Sequence, residues 1–416
     1  MGTLRLHSSL LFVAVFGLLP VAVSACSSSS ESEQGPGSAP ATPPTPGATG
    51  TTPTAPPGTV TPPGPALTQV RVHYATAATA ATTKPTALAL RGSSGPLAWD
   101  KSVAVPSTKP GLYTWSSPDV KADLEIKPLL GETWSRGPNY KVKPGQTIDI
   151  YPHFVEQRGT VTKKYPSFTS QKLPSTRGLW VYLPPTYVEN TEARFGVLYM
   201  HDAQNLFSAS TAFGGTEWKV DETMDAASED GSIRETIVVG VENTSARIDE
   251  LTPTADPGYG GGKADQYIAM LVDEIKPMID KDLRTVPSRE LTGVMGSSLG
   301  GLVSAYAGVR RADVFGLVGE MSPSTWWDDK FIIGEVGTLA TKPSKPLRIY
   351  VDSGDSGQSN DDVVNTTALA AKYRAIGYSD NKDLKHVVKS GAQHSESYWA
   401  QRLPEALHFL LGARPD

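Results

Sequence analysis

From Thr176 onward the chain alternates near-continuous apolar runs with helical stretches, and no other feature narrows the fold so far. The run "GLWVYLPPTY" is followed by "FGVLYMHD", "TIVVGVEN", "ELTGVMG", "VFGLVGEMS", "LRIYVDSG" and "KHVVKSG". Runs this apolar are buried on both faces, as in a parallel sheet with helices packed above and below it. Between them, Tyr267, Ile268, Leu271, Val272, Ile275, Met278 and Ile279 recur at the spacing of one helix face. Pro277 falls inside that pattern, where it would kink the helix or close its regular part. An α/β domain with a mostly parallel central sheet is expected over residues 170–416.

Residues 67–160 read differently. "QVRVHYA", "TALALRG", "LYTWSS", "ADLEIKPLL" and "TIDIYPHF" are short runs, several of them alternating, separated by Gly, Pro and Ser. This pattern predicts a small antiparallel β-sandwich. Residues 26–66 are rich in Pro, Thr, Ser, Gly and Ala and cannot bury enough surface to offset chain entropy, so they are expected to form a disordered linker. Residues 1–25 carry Arg5, an apolar run from Leu10 to Val23, and then small residues, the form of an export signal. That run falls short of the roughly 20 apolar residues of a membrane span. Cys26 is the single cysteine, so no internal disulfide can form. "VSAC" resembles the bacterial lipobox, which implies acylation of Cys26 and a lipid anchor in the cell envelope or at the cell surface. Plain secretion is the alternative.

Lys and Arg number 38 against 43 Asp and Glu, a formal charge of -5, and no basic block stands out. No nucleic-acid partner is expected, because phosphate binding needs clustered cations. The seven histidines show no metal-type spacing, and neither HExxH nor CxxC occurs, so no metal and no cofactor are expected.

The chemistry centres on Gly296-Ser297-Ser298-Leu299-Gly300-Gly301, between the buried run "LTGVM" and the helical start "LVSAYAGVRR". This is G-x-S-x-G with Ser298 in the serine position. Such a strand-to-helix turn holds its central serine in a strained conformation with the hydroxyl projecting. Close backbone approach excludes bulk at the flanking positions. The N–H of Leu299, at the helix start, becomes one oxyanion donor. The second is expected after "FGVLYMHD", from the N–H of Ala203 or of Gln204, with His201 and Asp202 shaping that loop.

A serine nucleophile needs a base, and after a turn of this kind the acid and then the histidine follow in chain order. His386 lies inside an apolar run, and His408 sits in a terminal helix and reads as a packing residue. His394, in the loop "SGAQHSESYW", is the expected base. The acid belongs in "VDSGDSGQSNDDVVN", which offers Asp352, Asp355, Asp361 and Asp362. Asp352 ends a strand and reads as structural. Asp361, just ahead of the helix that begins near Val363, is preferred, with Asp355 and Asp362 as rivals. Surplus aspartates there could cap that helix. The expected reaction is attack of Ser298 on an ester carbonyl, proton transfer to His394, and an acyl-enzyme released by water.

Taken together, "YMHDAQNLF", "TAFGGTEW", "GSSLGG", "SPSTWW" and "HSESYWAQRLPEAL" resemble an esterase family that includes enterochelin esterases, feruloyl and acetyl-xylan esterases, and mycolyltransferases. The resemblance runs from about Thr176 to Arg414. It implies an α/β-hydrolase fold with Ser298 as nucleophile and His394 as base. In many members the acid stands three residues after the glycine that ends its strand; here that position after Gly354 is Gly357, so the loop departs from the pattern. In the front region, "LALRGSSGPLAWD", "LYTW", "LEIKPLL" and "TWSRGPNYKVKPG" resemble starch-binding carbohydrate-binding modules of family 20. That resemblance implies polysaccharide contacts by Trp99 and Trp134, with Asn139 beside them, and a tryptophan face suits a sugar ring. The bland alternative places both tryptophans in the core or at a domain boundary. Trp326 and Trp327 are expected to wall the substrate pocket or pack beneath it.

The leading expectation is an exported serine esterase acting on an acyl ester, on a glycan or a siderophore. The alternatives are a surface glycan-binding lipoprotein with an idle hydrolase domain, and an acyltransferase.

Overall fold

The computed structural model describes residues 66–78, 87–339 and 341–412. The expected export signal, nearly all of the linker and Cys26 lie outside the described residues. Residues Pro62–Asp416 form one compact unit.

The front region builds two small sheets around a shared core. One orders Ser107–Lys109, Leu112–Ser117, Thr68–His73 and Thr147–Ile150. The other orders Val103–Ala104, Leu88–Gly92, Leu124–Leu130 and Thr133–Trp134, with Tyr140–Val142 also paired to Leu124–Leu130. Alternate residues of Thr68–His73 and Leu88–Gly92 are buried, the period-two pattern of strands with one face on a core. Val70, Val72, Leu90, Trp115, Leu124 and Ile126 fill that core. The pairing departs from the all-antiparallel expectation at one place: Thr68–His73 and Thr147–Ile150 run parallel. Those two segments are separated by most of the front region, so they need no hairpin between them.

The eight strands of the large sheet are β1 (Thr160–Thr169), β2 (Thr176–Leu183), β3 (Gly196–His201), β4 (Thr236–Val241), β5 (Thr292–Ser298), β6 (Leu317–Pro323), β7 (Arg348–Gly354) and β8 (Leu384–Lys389). Their order is β1-β2-β4-β3-β5-β6-β7-β8. β1 and β2, and β2 and β4, pair antiparallel, and the remaining pairs are parallel. The sheet therefore starts at Thr160, ten residues before the expected boundary at 170. β1 was illegible as a strand because it is an edge strand with no fully buried residue; Lys163, Lys164 and Pro166 mark such an edge.

The helices that cover the sheet are α1 (Val220–Asp230), α2 (Ala264–Ala269, continuing through a π-helical turn Met270–Ile275 into Lys276–Asp282), α3 (Leu299–Arg310), α4 (Trp327–Gly337), α5 (Val363–Ala375) and α6 (Glu396–Leu411). α1 and α6 pack on one face through Val220, Met224, Leu403 and Leu407, and α2 to α5 pack on the other. Strand residues alternate between the two cores: Val197 and Tyr199 face one, Leu198 and Met200 the other. The π turn directly precedes Pro277, whose missing N–H and ring are incompatible with continued α geometry upstream.

The front region is fastened to the short helical segment Pro185–Glu189 that follows β2 by buried polar contacts rather than by a loose tether. Glu189 accepts from Tyr74 Oη at 2.8 Å and from the N–H groups of Phe154 and Val155. Asn190 Nδ2 donates to the carbonyls of His73 and Pro152, each at 2.9 Å.

One buried acid makes folding depend on pH. Glu320 in β6 is fully buried, and burial pushes its carboxyl up to about 8, although the hydrogen bond from Tyr373 Oη at 2.8 Å partly offsets this. The folded chain thus holds a proton that the unfolded chain releases above its ordinary value of 4.5. Stability falls as pH rises through that window, by on the order of a few kcal/mol. Glu320→Gln should match wild type near pH 5 and exceed it near pH 8 in chemical denaturation. An equal difference at both values would contradict the buried neutral acid.

Candidate active site

β5 delivers Ser298 to a sharp turn into α3. Its backbone sits at φ 58° and ψ -123°, a region that L residues adopt only under constraint. The flanking glycines explain how the turn closes. A Cβ on Gly296 would lie 2.9 Å from both the Gly300 carbonyl carbon and His201 Cδ2, and one on Gly301 would lie 2.9 Å from the Met321 carbonyl oxygen. Neither position has room for a methyl group. Ser297 is buried, while Ser298 is part-exposed and its Oγ lies 3.3 Å from Ser324 Oγ.

His394 stands in the loop after β8. Its Nδ1 and Asp361 Oδ1 are 2.6 Å apart. Asp361 is buried, and His394 is partly exposed. Of the four aspartates in the loop region, Asp361 is the one that meets the imidazole. Asp355 accepts from the Gly391 N–H. Asp362 accepts from the Trp326 N–H at 3.1 Å and from Asn365 Nδ2 at 2.6 Å. It stands ahead of α5 but makes no side-chain bond to that helix's backbone, so the expected capping role is not what it does. The loop reaches the histidine because Ser359, Asn360, Asp361 and Asp362 all take positive φ, between 50° and 53°. Four such residues in a row are costly, and the hydrogen bonds of Asp361 and Asp362 offset the strain.

Beneath the pair lies a buried network centred on Ser322, itself at φ 36°. Ser322 Oγ donates to Asp361 Oδ2 at 2.7 Å and accepts from Trp399 Nε1 at 3.0 Å and Arg402 Nη2 at 2.6 Å. The Gly354 N–H also donates to Asp361 Oδ2. Burial pushes the Asp361 carboxyl up, but the bonds from His394, Gly354 and Ser322 outweigh it and hold it below the usual carboxylate range. Arg402 Nε donates to Asp352 Oδ2 at 2.9 Å, so Asp352 is the structural residue it was read to be. The Trp399 ring meets His394 edge-on at 4.9 Å between centroids.

Ser298 and His394 line one cavity of about 580 Å³, together with Asp202, Gln204, Asn205, Asn243, Arg247 and Glu396. The loop after β3 borders it. Asp202 takes positive φ and is clamped by Arg247, whose Nε and Nη2 donate at 2.7 and 2.8 Å. Burial raises the Asp202 carboxyl, but Arg247 more than compensates and holds it low. Gln204 and Asn243 bond to each other twice through side chain and backbone, fixing the loop. His201 is buried, with Nδ1 2.9 Å from Tyr267 Oη, and burial lowers it to about 4, so it stays neutral. It supports the turn rather than titrating. A Cβ on Gly300 would lie 3.3 Å from His201 Cβ, which sets the start of α3, with Leu299, beside the loop that carries Ala203. The Ala203 side chain packs inward, 3.0 Å from a Cβ placed on Gly240.

None of His408, Trp326, Trp327, Trp99 and Trp134 lines this cavity. His408 is exposed on the outer side of α6 and does not pack. Trp327 is buried, with Nε1 donating to the Thr254 carbonyl, whereas Trp326 is exposed and meets Tyr259 edge-on, with ring centroids 5.5 Å apart. In the front region Trp99 and Trp134 lie outside the core, 39% and 37% exposed, with ring centroids 6.3 Å apart. Arg91 sits 5.1 Å over the Trp134 ring and donates to the Trp99 carbonyl. Asn139 bonds Glu125 at 3.1 Å. Arg247, Asn243, Asn205 and Glu396 carried no sequence signal, since each comes from a different loop or helix start.

The fold and the site define a hydrolase of the esterase type. Residues 170–410 match the family described as "Putative esterase", more than half of the chain, and the chain belongs to that family. It is 23% identical over 255 residues to uncharacterized protein YbbA of Bacillus subtilis, covering 58% of this chain and 96% of that one. It is 26% identical over 251 residues to an endo-1,4-beta-xylanase/feruloyl esterase of Xylanibacter ruminicola, covering 59% of this chain but only 31% of that longer protein. The enterobactin esterase FES of Shigella flexneri superposes with a TM-score of 0.49 at 15% identity, over 78% of this chain and 87% of that one. The protein is an esterase.

Proposed function

We propose that this esterase is an exported serine hydrolase that cleaves a carboxylic ester through Ser298, His394 and Asp361 and an acyl-enzyme. The observation that carries the reading is the 2.6 Å contact between His394 Nδ1 and buried Asp361, with His394 and Ser298 lining the same cavity. Asp361 holds the proton on Nδ1 and leaves Nε2 to take the proton of Ser298 Oγ as it attacks the carbonyl. The N–H groups of Leu299 and Ala203 hold the tetrahedral oxyanion, each worth about 3 kcal/mol in the transition state. The imidazolium then protonates the leaving alkoxide, and water, activated by the same nitrogen, releases the acid. A fluorophosphonate probe should label the folded protein, label Ser297→Ala, and fail on Ser298→Ala. Labelling that survives in Ser298→Ala would remove the nucleophile assignment.

The export signal and the lipid anchor at Cys26 belong to the same proposal and place the enzyme at the cell envelope. Paired exposure of Trp99 and Trp134 favours a second role, polysaccharide binding by the front region. The full chain should then be retained on insoluble starch, and Trp134→Ala should weaken retention roughly ten-fold, as for an aromatic binding anchor. Equal retention of both proteins would remove that role.

A further inference from the structure

Building on the hydrolase reading above, we infer that Ser324 is a further catalytic residue. Its hydroxyl donates to Ser298 Oγ and stabilises charge on that oxygen, first as the nucleophile loses its proton and again as the acyl-enzyme breaks.

Ser324 lies in "SPSTWW", directly after β6, and it is buried. The end of β6 is pressed against the nucleophile turn. Ser297 pairs with Met321 but Ser298 pairs with Pro323, so Ser322 is an extra residue on β6 and Ser324 comes level with the turn. A Cβ on Gly301 would lie 3.0 Å from Pro323 Cα, which shows how closely the two segments approach. The Ser324 N–H donates to the Ser298 carbonyl at 3.0 Å, and the Ser324 carbonyl accepts from the Trp327 N–H at 3.2 Å. These bonds hold the Ser324 backbone in place. Its Oγ lies 3.3 Å from Ser298 Oγ and has no other hydrogen-bond partner among the described residues. The two serines of Ser322-Pro323-Ser324 thus serve opposite ends of one relay: Ser322 bonds Asp361, and Ser324 bonds Ser298.

Burial decides which serine donates. A hydroxyl has one proton and two lone pairs. If Ser324 only accepted, its proton would be a buried donor without a partner, which is costly. Ser298 is part-exposed and can send its own proton into the cavity that it shares with His394. With Ser324 as donor, both protons are placed. Ser324 is not among the residues that line the cavity, so it meets Oγ from the buried side and touches the reacting atom without touching the substrate.

In acylation the Ser298 proton passes to His394 Nε2 while an Oγ lone pair bonds the carbonyl carbon, whose π pair moves to the oxyanion. When the second tetrahedral intermediate collapses, the C–Oγ bond breaks, its electron pair stays on Oγ, and the His394 proton returns there. Ser324 keeps its own proton in both steps. Its bond strengthens whenever Oγ carries charge, because a hydrogen bond to an ionised oxygen is about twice as strong as one to a neutral oxygen. That difference corresponds to about ten-fold in rate.

The test compares Ser324→Ala with Ser324→Thr, which keeps the hydroxyl. Thr325→Val is the control, because it removes a neighbouring buried hydroxyl that bonds the Pro323 carbonyl. In Ser324→Ala, kcat on p-nitrophenyl acetate should fall about ten-fold with KM unchanged, and the rate constant of fluorophosphonate labelling should fall by the same factor. Ser324→Thr should recover both rates to within about three-fold of wild type, and Thr325→Val should stay within the same range. Should Ser324→Thr not fold, the contrast between Ser324→Ala and Thr325→Val decides. Unchanged or faster rates in Ser324→Ala would overturn the inference, faster ones because Ser324 would then be the acceptor that holds the Ser298 proton away from His394. An equal loss in Thr325→Val would overturn it too, since the loss of any buried hydroxyl there would then suffice. Absence of labelling in the wild type would instead overturn the hydrolase reading beneath it.

Discussion

Asp361→Asn lowers kcat on p-nitrophenyl acetate by about 10⁴-fold, the scale of loss when a triad histidine is held in the wrong tautomer. The reason lies in the donors around the carboxylate. Asp361 Oδ2 receives hydrogen bonds from Ser322 Oγ and from the Gly354 N–H, while Oδ1 meets His394 Nδ1. An asparagine must place its single oxygen where the two donors point. Its NH₂ group then faces Nδ1 and can only donate to it. The imidazole proton moves to Nε2, where it blocks acceptance of the proton of Ser298. Asp355→Asn and Asp362→Asn should stay within about ten-fold of wild type, since neither carboxylate touches the imidazole. Full activity in Asp361→Asn, or a larger loss at either rival, would move the acid elsewhere in the loop.

Arg402→Ala should destabilise the fold by about 3–5 kcal/mol, the cost of leaving a buried charge without its partner. Arg402 and Asp352 are both buried, and their 2.9 Å contact is backed by Tyr350 Oη and the Ser322 N–H on the carboxylate. Burial pushes the Asp352 carboxyl above its usual range even with Arg402 present. Without the guanidinium it is left to take up a proton or leave the interior. The double variant Arg402→Met, Asp352→Leu should recover much of the loss, because no charge is then stranded. Denaturant midpoints of the three proteins decide it. A loss under about 1 kcal/mol in Arg402→Ala would mean that the pair contributes no more than a surface salt bridge.

These two residues also show what the sequence could and could not reveal. Ser298 was legible because its requirements are local: a buried run, small residues where backbones touch, and a helix start, all within a dozen positions. His394 was preferred by elimination and by chain order. The aspartate that meets His394 was legible only as one of a set of neighbours. What separates Asp361 from Asp362 is the backbone of residues 359–362, four positive-φ positions with no glycine among them, and no propensity argument predicts such a turn. Arg402 and Ser322 were silent because their roles depend on α6 lying under β6, a contact between distant segments. β1 was silent because an exposed edge strand carries no apolar period. Trp99 and Trp134 were singled out one by one, but their pairing rests on the short hairpin that brings Thr133–Trp134 beside Leu124–Leu130.

The most direct test of the central claim is to trap the intermediate. Mixing the protein with p-nitrophenyl acetate, quenching in acid and mapping peptides by mass spectrometry should find one acetyl group on the peptide containing Ser298. That group should be absent in Ser298→Ala and strongly reduced in His394→Ala. An acetyl group on another residue, or one that forms equally fast without His394, would contradict a serine nucleophile activated by that histidine.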